Sequence, residues 1–185
     1  LLSKMNTFLS RANNIFAFTL TVLATLTFGC FLSTFFKDYN RPVEMHPVKT
    51  VVKHVKDFSV SKEKNDLGIV VVNLTADLTS LFDWNTKQLF VYLTAEYTTE
   101  KNKLNQVVLW DKIIERFDNA VLKYPTLNSE YYFFDDGSGL KGNKNITLYL
   151  SWNVIPNAGL LPRIFADKET LSFEFPDEYT YIRVK

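Results

Sequence analysis

The chain has 185 residues, with 21 Lys and Arg against 20 Asp and Glu, a net charge of +1 and 15% aromatic residues. That balance gives no electrostatic basis for binding nucleic acid or a strongly acidic substrate. Cys30 is the only cysteine, which excludes a disulfide framework and thiol chemistry anywhere else in the chain.

The first element is an uncharged run of 25 residues between Arg11 and Lys37. Its apolar core, Ile15 to Phe36, is 22 residues, or about 33 Å as a helix, and crossing a bilayer takes roughly 20. A helix satisfies its own backbone in hydrocarbon. Thr19, Thr21, Thr25, Thr27, Ser33 and Thr34 are tolerated there because hydroxyls bond back to carbonyls one turn earlier. A cleavable signal peptide has an apolar region of about 7–15 residues and a small-x-small cut site. This run is longer, and the best cut site, Thr27-Phe28-Gly29, is poor and leaves a hydrophobic stretch from Cys30 onward. A lipoprotein reading of Gly29-Cys30 fails because Thr27 stands where an aliphatic or small apolar residue is expected. The expectation is an uncleaved membrane anchor over residues 15–36.

Flanking charge and sequons disagree about which side holds the rest of the chain. Lys4 and Arg11 precede the anchor; Lys37, Arg41, Lys49, Lys53 and Lys56 follow it. Counted literally, these place the C-terminal domain in the cytoplasm, but long domains translocate largely regardless of charge. Two N-x-[ST] tripeptides, Asn73-Leu74-Thr75 and Asn145-Ile146-Thr147, favour a non-cytosolic domain.

Residues 37–47 read as an extended connector, with Pro42 and Pro47 disfavouring helix before them. Period-two patterning then dominates. In Leu67–Leu78, Val70, Val72, Leu74, Ala76 and Leu78 share one face, with Ile69, Val71, Asn73, Thr75 and Asp77 opposite. In Asn145–Ile155 the buried set is Ile146, Leu148, Leu150, Trp152 and Val154. Gln88–Thr99, Glu130–Phe134 and Thr170–Phe175 read as further strands, the last with Leu171, Phe173 and Phe175 on one face. Leu104–Phe117 fits either a helical stripe or a strand face of Val108, Trp110 and Ile114 interrupted by Lys112, and the β-rich setting favours strand. Turn clusters such as Asp135-Asp136-Gly137-Ser138-Gly139 and Pro156-Asn157-Ala158-Gly159 separate the strands. The expected fold is mainly β: a β-sandwich preceded by one N-terminal transmembrane helix. Both sequons place Asn and Thr on a polar face, and Asn145 is the better placed because it opens its strand after a flexible turn.

Catalytic chemistry is hard to find. His46 and His54, expected at the membrane-proximal edge of the domain, have no metal-ligand spacing and read as surface or packing residues. Ser59-Val60-Ser61-Lys62 matches S-x-x-K but lacks the S-D-N and K-T-G companions of serine–lysine acyl transfer. Asp135-Asp136-Gly137 departs from calcium-loop spacing and reads as a turn. The turn Phe82-Asp83-Trp84-Asn85 fits both a partner-contact surface and a buried structural turn. The residues alone point to a membrane-anchored binding or scaffolding protein without cofactor or metal. Alternatives are an adhesion or carbohydrate-binding ectodomain, and a hydrolase using Ser59 or Ser61 with Lys62.

Longer strings are more specific. They include Met5-Asn6-Thr7-Phe8-Leu9-Ser10-Arg11-Ala12-Asn13, Leu26-Thr27-Phe28-Gly29-Cys30-Phe31, Asp66-Leu67-Gly68 and Phe82-Asp83-Trp84-Asn85. Leu93-Thr94-Ala95-Glu96-Tyr97, Asn105 to Ile113, Phe133 to Gly137, Asn145 to Leu148 and Ser151 to Gly159 continue the series. In this order they resemble the subunit 3 family of the eukaryotic signal peptidase complex, its small glycoprotein subunits, from about Met5 to Pro176. Leu1–Lys4 precede the family-like start, and Arg163–Lys185 is the least family-like stretch. The resemblance implies a single-pass endoplasmic reticulum membrane protein with a cytosolic tail (residues 1–14), the anchor, the connector and a lumenal β-sandwich (48–185). It implies a glycan on Asn145, while Asn73 does not carry over. It also implies a non-catalytic but essential role beside a serine-type catalytic subunit, other small membrane subunits and nascent signal-peptide-bearing chains.

Overall fold

A computed structural model describes residues 7–56, 64–166 and 170–181. It opens with helix α1 (Phe8–Thr34), which is long and apolar enough to cross a membrane, with a mean hydropathy of 2.1 over its best window. The helix begins seven residues ahead of Ile15, because Thr7 caps it by accepting a hydrogen bond from Ser10 N at 3.3 Å. Thr19, Thr21, Thr25 and Thr27 each donate to the carbonyl four residues earlier at 2.9 Å, as the sequence requires of hydroxyls in hydrocarbon. Along the helix only Thr34 is buried.

Among the described residues nine strands follow: β1 (Val43–Lys56), β2 (Lys64–Asp77), β3 (Thr86–Tyr97), β4 (Asn105–Glu115), β5 (Val121–Asn128), β6 (Phe133–Phe134), β7 (Ile146–Pro156), β8 (Arg163–Phe165) and β9 (Leu171–Phe173). All pairings are antiparallel. One sheet runs β1-β2-β5, with β6 sharing the β5 side of β2; the other runs β4-β3-β7-β8, with β9 sharing the β8 side of β7. The inner faces meet in one core that includes Leu74, Leu89, Leu148, Leu150, Trp152 and Phe133. The expected β-sandwich after a single apolar helix is therefore present.

The inner set read from β7 is correct, with Ile146, Leu148, Leu150, Trp152 and Val154 all buried, but Tyr149 and Ser151 from the opposite face are buried too. On β2 the assigned inner set is buried as well, and Val71 from the opposite face is buried with it. The segment left between helix and strand is β4, but its faces differ from the expectation. Val108 is exposed while Leu109 and Trp110 are buried, because a bulge opposite Leu93 and Thr94 inserts one extra residue and re-aims the chain. Lys112, the intruder on the inner face, extends to the edge of the core, where its Nζ donates to Tyr124 Oη at 3.0 Å. β1 starts at Val43, inside the stretch read as connector, and tolerates Pro47 because it is an edge strand with a bulge between Pro47 and Lys49. Only Phe133–Phe134 of the expected 130–134 strand pairs. Gly68 is required by close packing: a Cβ there would lie 2.6 Å from the Phe175 ring.

Leu148 tests this core. Leu148→Ala should cost about 2–5 kcal/mol of stability. Leu148→Lys should abolish cooperative thermal unfolding of the detergent-solubilised chain, since an unpaired charge cannot be accommodated there.

Candidate functional site

Strand polarity gathers one set of loops at a single end of the sandwich. Val43 pairs with Ala76, Asp77 with Val121, Gln88 with Glu115, and Thr86 with Pro156. The connector, the β2–β3 loop, the β4–β5 hairpin and the β7–β8 loop therefore all lie at the end where α1 enters.

Here the turn Phe82-Asp83-Trp84-Asn85 joins helix to sandwich. The buried Asn85 amide nitrogen donates to Thr34 Oγ1 at 3.1 Å and to the Ala158 carbonyl at 2.9 Å. Its amide oxygen accepts from Ala158 N at 3.0 Å, and its backbone carbonyl accepts from Asn157 N at 2.7 Å. One side chain thus bridges the last helical turn, the β2–β3 loop and the β7–β8 loop. Gly159, at φ 111°, lets the β7–β8 loop lie directly on α1, since a Cβ there would sit 2.5 Å from the Phe31 ring.

Asp83 supplies the charged half of the joint. Its Oδ2 pairs with Lys37 Nζ at 2.9 Å, and its Oδ1 accepts from Asn85 N, Thr86 N and Thr86 Oγ1 at 2.8–3.0 Å. Burial is the largest influence and pushes its pKa upward. The bonds from Lys37, Thr86 and Asn85 N, with the Lys37 charge, together outweigh burial and hold the carboxyl below its ordinary value. Tyr39 moves upward, chiefly through burial and then through the nearby Asp83 charge. Its carbonyl accepts from Trp152 Nε1 at 3.1 Å, which fastens the connector to the core. Arg116 donates to the Asp83 and Thr86 carbonyls, both at 2.7 Å, and so ties in the β4–β5 hairpin. Within the motif, Asp83 and Asn85 make the structural contacts while Trp84 points outward, more than half exposed. A buried role for Trp84 is thereby excluded. Between helix end and loops lies an open cavity of about 440 Å³, lined in part by Phe31, Phe35, Leu160, Leu161 and Ile164.

Other residues singled out in the sequence fall elsewhere. β1 carries His54 away from the anchor to the far end of the sandwich, where it stacks on Tyr179 and its Nδ1 lies 3.2 Å from the buried Asp66. Asp66 also accepts from Tyr179 Oη at 2.9 Å and Lys141 N at 3.0 Å, so this group fastens the C-terminal segment. His46 is exposed on β1. Asp135 is buried in its turn, accepting from Tyr97 Oη and Gly139 N at 2.9 Å each. Among the described residues no group of three or more His, Cys, Asp or Glu is placed to hold a metal. Ser59, Ser61 and Lys62 lie outside the described residues. Asn145 is exposed just before β7, at the end opposite the anchor, whereas Asn73 is half-buried in the middle of β2.

Comparison with known proteins finds relatives over nearly the whole chain. A family described as signal peptidase subunit matches residues 5–178. The chain is 56% identical over 175 residues to signal peptidase complex subunit 3 of Homo sapiens, and 58% identical to that of Drosophila melanogaster. Each alignment covers 95% of this chain and 97% of the relative. A Mus musculus protein named adipocyte-related X-chromosome expressed sequence 1 is 54% identical over the same span. The chain belongs to the signal peptidase subunit family.

The joint is open to test by pH and mutation. Because the folded Asp83 carboxyl is held below its ordinary value, its contribution is present above the unfolded pKa of about 3.9 and lost as pH falls through the lower folded value. Hydrogen exchange of the 37–42 connector should accelerate in acid, and Asp83→Asn should remove most of that acid dependence. Asn85→Ala should lower the free energy of opening the joint by about 1–3 kcal/mol at neutral pH, leaving the core amides protected.

Proposed function

We propose that this chain is a non-catalytic subunit of the signal peptidase complex, supporting a serine-type catalytic subunit in removing signal peptides from nascent secretory proteins. The observation that carries the reading is the family match across residues 5–178, which takes in both α1 and the sandwich. An adhesion or carbohydrate-binding ectodomain draws no support from these relatives. In this reading residues 1–14 are cytosolic, 15–36 cross the endoplasmic reticulum membrane, 37–42 connect, and the sandwich from Val43 onward folds in the lumen. The charge flanks argue against that orientation. The exposed Asn145 sequon, held at the end of the sandwich away from the anchor, argues for it. Asn145 carries the glycan; Asn73, walled in by β1 and β5, is the weaker acceptor.

The role follows from where the domain is held. Signal peptides are cut at the lumenal membrane surface, and the Asn85 joint keeps one end of the sandwich at that level. Sharing a membrane with the catalytic subunit and the other small membrane subunits raises their effective concentration. A modest interface then stays occupied, and the subunit acts by holding its partners and the substrate path in register.

Glycosylation, co-purification and processing assays decide between this and other placements. Expressed with microsomes, the chain should gain a glycosidase-sensitive mobility shift that Asn145→Gln largely abolishes; an unglycosylated wild-type chain would count against the lumenal orientation. Affinity purification should recover a signal peptidase catalytic subunit, and depletion should slow signal-peptide processing. Rescue by His46→Ala and His54→Ala should be complete; failure in folded, assembled protein would mean an active chemical role.

A further inference from the structure

We propose that the anchor-side end of the sandwich is itself a membrane-binding surface, in which the tips of three loops sit in the interfacial layer of the same leaflet that α1 leaves. The inference rests on the membrane-spanning reading of α1 and adds a second contact to it. Register puts the β2–β3, β4–β5 and β7–β8 loops together at this end. Each presents large apolar side chains to solvent: Trp84 on the first, Phe117 on the second, and Leu160 and Leu161 on the third, alongside Phe35 and Phe36 at the helix exit. Phe117 is the extreme case, 99% exposed and held at φ 96°, a region that bulky residues avoid. Nothing within the fold rewards an aromatic side chain there; an apolar medium would.

Depth identifies the occupant as lipid. Gly159 packs on Phe31, which lies about 4.5 Å before the helix end and inside the apolar run to Phe36. The β7–β8 loop therefore reaches below the level at which α1 emerges, so a membrane crossed by α1 already surrounds Leu160 and Leu161. Asn85 and Arg116 bind the other two loops to this one, so their tips are carried towards the same plane. A tryptophan among aliphatic and phenylalanine side chains, with Lys37 and Arg41 immediately beyond, has the composition of an interfacial belt. The cavity between the helix end and Leu160, Leu161 and Ile164 is apolar on that side and polar where Lys37, Asp38 and Asn40 line it, so its apolar side would take part of a lipid tail beneath the headgroup level.

Trp84 provides the probe, because Trp110 and Trp152 are buried in the core. The full chain would be reconstituted in phosphatidylcholine vesicles containing lipids with a quencher either near the headgroup or at the acyl-chain end. The difference in emission between wild type and Trp84→Phe isolates the Trp84 signal. A polarity-sensitive dye on Leu161→Cys, in a Cys30→Ser background, gives a second reading. The expected result is resistance to alkaline extraction, at least twofold stronger quenching of Trp84 by the shallow quencher than by the deep one, and a blue-shifted dye. Resistance to extraction with an unquenched Trp84 and a dye reporting water would overturn this proposal and leave the anchor intact. Extraction by alkali would defeat the anchor reading and this proposal together. Loss of lipid quenching in the purified assembly would show that a partner subunit, not lipid, covers these tips, and would overturn it as well.

Discussion

A single amide, that of Asn85, sets the relation between the two halves of this protein. An apolar helix followed by a soluble domain would ordinarily be joined by a swivel, because a short coil fixes little. Here the Asn85 side chain uses both donor and acceptor in the same turn, holding Thr34 of α1 and both backbone groups of Ala158. Buried amides left without partners cost as much as good bonds gain, so the arrangement resists partial opening. Asp83 reinforces it with a pair to Lys37 and a fan of bonds to its own turn, and Trp152 reaches out of the core to fasten Tyr39. The Phe31–Gly159 contact then requires glycine in the β7–β8 loop.

Consequences for function follow from that constraint. A domain free to swing on its anchor would sample many heights and orientations, and each partner interface would have to repay that freedom. A fixed joint removes the cost before assembly, so that a modest contact suffices. It also sets which end of the sandwich faces the membrane. The loops of that end share the joint's hydrogen bonds, while the Asn145 sequon is held at the other end, about 35 Å away along the eleven residues of β7. The far-end group of His54, Asp66 and Tyr179 has no part in this; it closes the C-terminal segment over the sandwich.

Much of this was legible in the sequence, for physical reasons. The anchor showed because uninterrupted apolarity has few other uses, and β7 because a strand buried on one face must alternate. The outer faces are less clean, since Val71 on β2 and Tyr149 and Ser151 on β7 are buried there as well. On β4 a bulge shifts the phase, so the face that simple alternation gives to Val108 is occupied by Leu109 and Trp110. Period-two reasoning has no access to an inserted residue. β1, β5 and β8 are not legible: Pro47 makes the start of the first look like connector, Pro125 interrupts the pattern of the second, and the three residues of the last carry no period. The joint is half legible: the string Phe82-Asp83-Trp84-Asn85 is distinctive, but its aromatic residue is the more conspicuous contact candidate. Asp and Asn in adjacent turn positions were the available signal, since both bond locally and to neighbouring backbone. Their partners, Thr34 and Ala158, are 51 and 73 residues from Asn85 and invisible without the fold.

The rigidity of the joint is the claim on which the account turns, and a distance distribution tests it directly. Spin labels on cysteines introduced at Leu26 of the helix and Lys144 of the far-end loop, in a Cys30→Ser background, would be measured by double electron–electron resonance in lipid nanodiscs. The account predicts one narrow distance population in the otherwise native chain, broadening when Asn85 is replaced by Ala. A broad distribution already present with Asn85 intact would contradict it, because the sandwich would then be swinging freely on its anchor.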